Sequence, residues 1–261
     1  MLNIDKLVAL GLDASTLLQQ QQIGCEMIRI CERDGLRWVQ TSGRSLLSTF
    51  ELDDPANPVF PNHRSMLCAL LLRKQPATVL NLGFGVGSFE RYFHQHLPNT
   101  FIESVDTNSE LVDLSRQWFR IPHDWPVIIA EAHVHLARSR RAFDLVLCDI
   151  FVNDAHPPCL FDANFYASAA QRLCADGVLA LNLSPESNAE LLRILLPVRK
   201  SFSHVMLATL SGHDNVVLVA SREAFANIFE LRLKAQQKRD TPGLNLLDDI
   251  AQFTRLPQPE S

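Results

Sequence analysis

Three glycines at alternate positions, Gly83, Gly85 and Gly87, carry the spacing in this chain that most directly suggests chemistry. They follow a short apolar run, Thr78–Leu82, and precede a stretch over residues 88–96 with helical patterning. A strand, a glycine turn and a helix start, in that order, build a cradle for a small ligand. Glycine tolerates positive φ and lets backbone come close, while the free N–H groups of the helix start point at the ligand's polar end. The spacing is G-x-G-x-G, not the G-x-G-x-x-G of dinucleotide sites, and a plain strand-to-helix connection would also use it. The next strand-like run, residues 100–105, ends at Asp106, 19 residues after Gly87. A carboxylate at that distance accepts hydrogen bonds from both hydroxyls of a ribose. Capping of a helix that begins near Asn108 is compatible with the same role.

The elements that must position these groups read as an alternating α/β chain. Strands at 127–130, 143–149 and 177–182 are interleaved with helices at 108–119, 132–140, 164–174 and 186–202. Two last strands, 204–210 and 215–220, are separated by the short turn 211–214, which predicts one antiparallel edge on a parallel sheet. The expected fold class is therefore α/β, a doubly wound, mostly parallel seven-stranded sheet with a small N-terminal β module. In that module, residues 27–31, the pair Asp34-Gly35 and residues 36–39 read as a hairpin with a primed turn, and a further strand is expected near 46–50. Residues 3–22 pattern as a helix through Leu7, Leu10, Leu17 and Leu18. The Pro- and Asp-rich stretch 51–62 reads as a linker, and 62–72 as a helix leading into the central strand. The expected division is 1–61 for the N-terminal helix and β module, 62–222 for the nucleoside-binding domain, and 223–261 for a helix and loose tail.

Composition narrows the function classes. Of the 261 residues, 47% are apolar and 20% charged, which suits a globular chain with a sizeable core. A formal charge of −5 without a dense Lys/Arg tract argues against nucleic-acid or anionic-membrane partners. The six cysteines contain no C-x-x-C pair, so the spacing fits neither a zinc knuckle nor a disulfide framework. His94 and His96, like His133 and His135, are two apart and on a helix do not share a face, so no metal site is expected. With no basic n-region and no long apolar run, the expected location is the cytoplasm.

The glycine turn, the acidic end of the second strand and the terminal hairpin together resemble the class I S-adenosylmethionine-dependent methyltransferase fold. The segment Asp149-Ile150-Phe151-Val152-Asn153-Asp154-Ala155-His156-Pro157-Pro158-Cys159-Leu160-Phe161-Asp162-Ala163-Asn164-Phe165-Tyr166 is similar, without a gap, to the spermidine synthase signature. Asn62-His63-Arg64 stands where that family has a Tyr-His-Glu-like triplet, and the resemblance spans roughly residues 24–222. It implies a polyamine aminopropyltransferase-like protein whose donor is S-adenosylmethionine or its decarboxylated form, and whose partner is a small-molecule amine or another nucleophile. It further implies that Gly83, Gly85 and Gly87 line the sulfonium nucleoside, that Asp106 binds its ribose and that Glu131 faces the adenine amino group. Asp149 would be the catalytic aspartate, at the C-terminal end of a strand where open α/β sheets bind ligands. His63 and Asp154 are candidate substrate-binding groups, and a homodimer is expected.

The departures from the family pattern have chemical content. Val86 stands where the family's glycine turn has an aspartate, Val152 where its catalytic loop has a second one, and Leu47 where a glutamine is expected. Valine in place of carboxylate removes the counter-charge an ammonium needs on leaving water. Three readings stay open at this point: an aminopropyltransferase-like enzyme, a small-molecule methyltransferase, and a non-catalytic nucleoside-binding or interaction protein.

Overall fold

A computed structural model describes residues 7, 9, 10, 12, 13, 16–41, 45–73, 75–237, 241 and 243–258. The N-terminal part is an antiparallel meander of four strands: β1 (Leu17–Ile23), β2 (Glu26–Arg33), β3 (Leu36–Thr41) and β4 (Leu46–Glu51). Asp34 and Gly35 join β2 to β3 with φ of 52° and 79°, so both central residues take the left-handed conformation that a primed turn requires. Along β4, Leu46 pairs with Gln40 and Ser48 with Val39, which leaves Leu47 as the extra residue of a β-bulge.

The helix expected over residues 3–22 is corrected by this structure. Residues 7, 9 and 10 are helical, several others before Thr16 lie outside the described residues, and residues 17–22 belong to β1. Exposure alternates along the glutamine tract, and β1 is paired with β2 from Leu17 opposite Cys31 to Ile23 opposite Glu26. That ladder outweighs the local helix preference of Leu and Gln, a tertiary effect that single-residue propensities do not carry.

The remaining strands are β5 (Thr78–Leu82), β6 (Phe101–Asp106), β7 (Val127–Ile129), β8 (Phe143–Cys148), β9 (Leu173–Leu183), β10 (His204–Thr209), β11 (Val216–Ser221) and β12 (Phe253–Arg255). They form one sheet in the order β12-β10-β11-β9-β8-β5-β6-β7. The pairings from β9 through β7 are parallel, and β11, β10 and β12 add antiparallel strands at one side. The seven strands expected from the sequence are thus joined by an eighth, β12. The chain leaves β5 toward β6 on one side and later fills β8 on the other, so the glycine turn after β5 sits at the switch point where open α/β sheets bind ligands.

Both faces of this sheet are covered. In β8 every residue is buried, and alternate side chains go to opposite cores. Leu145 and Leu147 pack with α1 (Pro61–Leu67), α2 (Ala69–Leu72), α3 (Ser88–His96), α8 (Ile228–Gln237) and α9 (Leu247–Ala251). Val146 and Cys148 pack with α5 (Ala132–Arg138), α6 (Ala163–Arg172) and α7 (Asn188–Ser201). The continuous apolar run is what a strand buried on both sides requires. A third cluster joins Ile23, Ile28 and Phe50 of the meander to Phe84 and Val86 of the glycine turn and to Val112 and Leu114 of α4 (Ser109–Trp118). Through it the N-terminal module roofs the turn. Among the described residues no helix is long and apolar enough to cross a membrane.

Candidate active site

The C-terminal ends of β5, β6 and β8, the start of α4 and the N-terminal module enclose a cavity of about 590 Å³. Its walls bring together Gly83, Gly85, Asp106, Glu131 and Asp149 with His63 and Asp154. Gly87 stands apart. It is the left-handed residue before α3, and a Cβ on it would meet Ile121 Cδ1 at 2.4 Å, so its lack of a side chain serves packing behind the turn. Gly83 serves a close approach: with φ of 94°, a Cβ there would lie 2.0 Å from the Asp149 carbonyl oxygen. Gly85 has open space where its Cβ would be.

Asp106 braces the turn. Its Oδ2 accepts the Gly85 N–H at 3.1 Å and its Oδ1 the Asn108 N–H at 2.9 Å. Asn108, not Asp106, caps α4, accepting the Leu111 N–H at 2.9 Å. Burial pushes the Asp106 carboxyl above the usual carboxylate range, against the opposing pull of these backbone N–H bonds. Below the turn the buried Arg91 guanidinium donates to the Pro55 carbonyl at 2.7 Å, to the Phe119 carbonyl at 3.2 Å and to the Val86 carbonyl. Burial lowers its pKa to about 9. One cation thus ties linker, turn and the end of α4 together.

Asp149 is held from two sides. Its Oδ2 accepts from His63 Nε2 at 3.1 Å and its Oδ1 from Asn182 Nδ2 at 2.8 Å. An ionised carboxylate only accepts, so His63 carries its proton on Nε2 in this pair. The His63 ring lies between Phe60 and Phe89, with centroids 5.4 and 4.9 Å away. Asn182, only 3% exposed, accepts in turn from Asn215 Nδ2 at 3.0 Å. Elements distant in sequence (α1, β9 and the β10–β11 turn) therefore converge on one carboxylate.

The loop after β8 is equally constrained. Val152 and Ala155 exchange backbone hydrogen bonds across Asn153 and Asp154, both at positive φ. His156 is buried. Its Nε2 accepts the Ser184 N–H at 3.0 Å, which puts the proton on Nδ1 for donation to Glu190 Oε1 at 2.9 Å. Asp154 Oδ2 accepts from Ser45 Oγ at 2.5 Å, tying the loop to the N-terminal module. Glu131 is the exposed residue just before α5, and its side chain does not cap that helix.

Two residues of this constellation escaped the sequence reading. Asn182 is the only polar side chain in the run 178–183, and a lone Asn in a central strand is the signal that could have found it. His156 lay inside the quoted segment but carried no role there. Both valines line the cavity, but Val86 is 1% exposed within the third apolar cluster and Val152 is 53% exposed, so the two departures differ in burial. Acidic groups dominate the wall: Glu26, Asp106, Glu110, Glu131, Asp149 and Asp154 line it, and no Lys or Arg does among the described residues.

No protein-family profile matches the chain. In sequence it is 25% identical over 202 residues to a polyamine aminopropyltransferase of Chromobacterium violaceum, covering 76% of this chain and 77% of that one. In structure it is similar to a probable spermidine synthase from Corynebacterium glutamicum, with a TM-score of 0.71, 19% identity, and coverage of 92% and 90% of the two chains. It is also similar to human methyltransferase-like protein 13 in complex with SAH, with a TM-score of 0.63, 21% identity, and coverage of 77% and 96%. By sequence and by fold, the chain is spermidine synthase-like.

Proposed function

We propose that this protein binds decarboxylated S-adenosylmethionine and transfers its aminopropyl group to an amine. The observation that carries the reading is the cavity around the held Asp149, whose described lining holds six carboxylates and no Lys or Arg. The decarboxylated donor bears two positive charges, the sulfonium and a primary ammonium, and no carboxylate. The intact donor adds a carboxylate, which would meet Asp149 at the reacting end of a cavity that no Lys or Arg lines among the described residues. Glu131 and Asp106 are assigned to the nucleoside end, and Asp149 to the reacting end.

Transfer from a sulfonium needs no covalent enzyme intermediate, only alignment and removal of a proton. Asp149 takes a proton from the incoming ammonium, which frees the nitrogen lone pair. That pair forms the new C–N bond as the C–S bond breaks, and the bonding electrons go to sulfur, leaving neutral methylthioadenosine. His63 and Asn182 keep the carboxylate aimed while the charge moves. The roof of Ile23, Ile28 and Phe50 excludes water from the nucleoside side. A cytoplasmic setting and a homodimer belong to the same reading; a monomeric mass in light scattering at micromolar concentration would remove the latter.

Calorimetric titration with S-adenosylmethionine, its decarboxylated form and methylthioadenosine tests the proposal. Tighter binding of the decarboxylated donor is expected. Preference for the intact donor would move the protein to methyl transfer, and silence with all three would leave no transferase reading.

A further inference from the structure

The bulge in β4 and the turn after β8 put two apolar side chains at the acceptor end of the cavity. Ser48 and Leu46 occupy the regular ladder positions, so the inserted Leu47 is turned out of register. It is 37% exposed and lines the cavity. β-Bulges re-aim side chains in this way, frequently beside active sites. Val152, held by its paired hydrogen bonds to Ala155, is the second apolar wall. The Ser45–Asp154 hydrogen bond joins the two segments, and Leu47 and Val152 each lie two residues from it.

The carboxylates are distributed to match. Glu110 sits in the first turn of α4 beside Asp106, and Glu26 starts β2, whose Ile28 packs with α4 through Val112. Both therefore belong to the nucleoside side. Asp154 is exposed and engaged by Ser45. Among the described residues Asp149 is then the carboxylate assigned to the point of attack, and beyond it stand Leu47, Val152 and the Ser45-bound Asp154.

We infer that the acceptor is an amine with a single ammonium and an apolar body, and that Leu47 and Val152 are the residues that select it over a diamine. This rests on the transferase reading above. The reacting ammonium gives its proton to Asp149 and its nitrogen takes the aminopropyl carbon, while the rest of the molecule lies against the two apolar side chains. A diamine would have to bring a second ammonium against the same apolar surface, where the carboxylate at hand, Asp154, already accepts from Ser45.

The test uses the full chain with decarboxylated S-adenosylmethionine and a matched pair of acceptors, n-pentylamine and 1,5-diaminopentane, which differ by one terminal ammonium. Donor binding is measured first by calorimetry, and methylthioadenosine release is then followed with each amine. The expected result is a kcat/KM about tenfold or more higher for the monoamine, as one poorly matched group in a pocket produces. Leu47→Gln and Val152→Asp should each move that ratio toward the diamine. A wild-type preference for the diamine overturns the inference, as does a donor-bound protein that consumes neither amine, or a ratio that both substitutions leave in place. A protein that binds no donor overturns both this inference and the transferase reading, and that outcome is seen before any acceptor is added.

Discussion

Replacing Asn182 by alanine takes from Asp149 the shorter of its two side-chain hydrogen bonds, 2.8 Å against 3.1 Å from His63. It also removes the acceptor used by Asn215. A hydrogen bond to a charged group is worth about 1.5–3 kcal/mol. The single-mutant stability will not report this value cleanly, because Asp149 lies among other carboxylates and its own removal relieves repulsion. A double-mutant cycle over Asn182→Ala and Asp149→Ala cancels that background. We expect a coupling of about 1.5–3 kcal/mol in urea unfolding. The functional readout follows from the same bond. Without Asn182 the Asp149 carboxylate loses one of the two side chains that aim it, so methylthioadenosine release should slow, with kcat affected more than KM. A coupling under about 0.5 kcal/mol, the error expected for independent sites, would refute the claim that Asn182 positions Asp149.

Three further outcomes are expected. Val86→Asp buries a carboxylate in the cluster of Phe84, Phe119 and Ile121 and should destabilise the fold by about 3 kcal/mol or more, whereas Val152→Asp at the exposed site should stay within about 0.5 kcal/mol, both read by chemical denaturation. Asp106→Ala removes the brace on Gly85 together with the ribose acceptor and should weaken methylthioadenosine binding by about 1.5–3 kcal/mol in calorimetry; unchanged affinity in a folded variant removes Asp106 from the site. The Glu190 carboxyl is held below its ordinary range chiefly by the His156 hydrogen bond, so its contribution is present above the ordinary carboxylate pKa and lost as pH falls through the lowered one. The stability gap between wild type and Glu190→Gln should therefore be constant near neutrality and shrink in acid, and a gap that widens on acidification would contradict this sign.

Local signals were legible wherever local chemistry decides the structure. Asp34-Gly35 specified its hairpin because few residue pairs accept two positive φ values. Thr78–Leu82 and Ser88–His96 were readable because an apolar run and a helical period flank the glycines without competition. Residues 17–22 were not, since glutamine and leucine suit a helix and only the partner strand β2 reverses that choice. β12 spans three residues in a Pro-bearing tail, too short for any period to show. At the site, strand ends revealed Asp106 and Asp149, whereas Asn182 becomes meaningful only when β9 is laid beside β8. Val86 reads from sequence as a lost ligand group, but its position in the turn does not disclose that it faces the roof of the module.

The extra residue in β4 has a consequence for how this family of shapes can vary. Deleting one residue from a strand normally exchanges inward and outward faces along everything that follows, which is ruinous when one face is buried. Leu47 is different because it has no partner: with it removed, Leu46 opposite Gln40 would be followed directly by Ser48 opposite Val39, and the remaining ladder to Glu51 would keep its register. The cavity wall at this point is therefore a detachable unit, open to loss or replacement in a single genetic step without refolding the module. This part of the cavity wall can therefore vary while Gly83, Asp106 and Asp149 at the ends of the parallel strands stay in place.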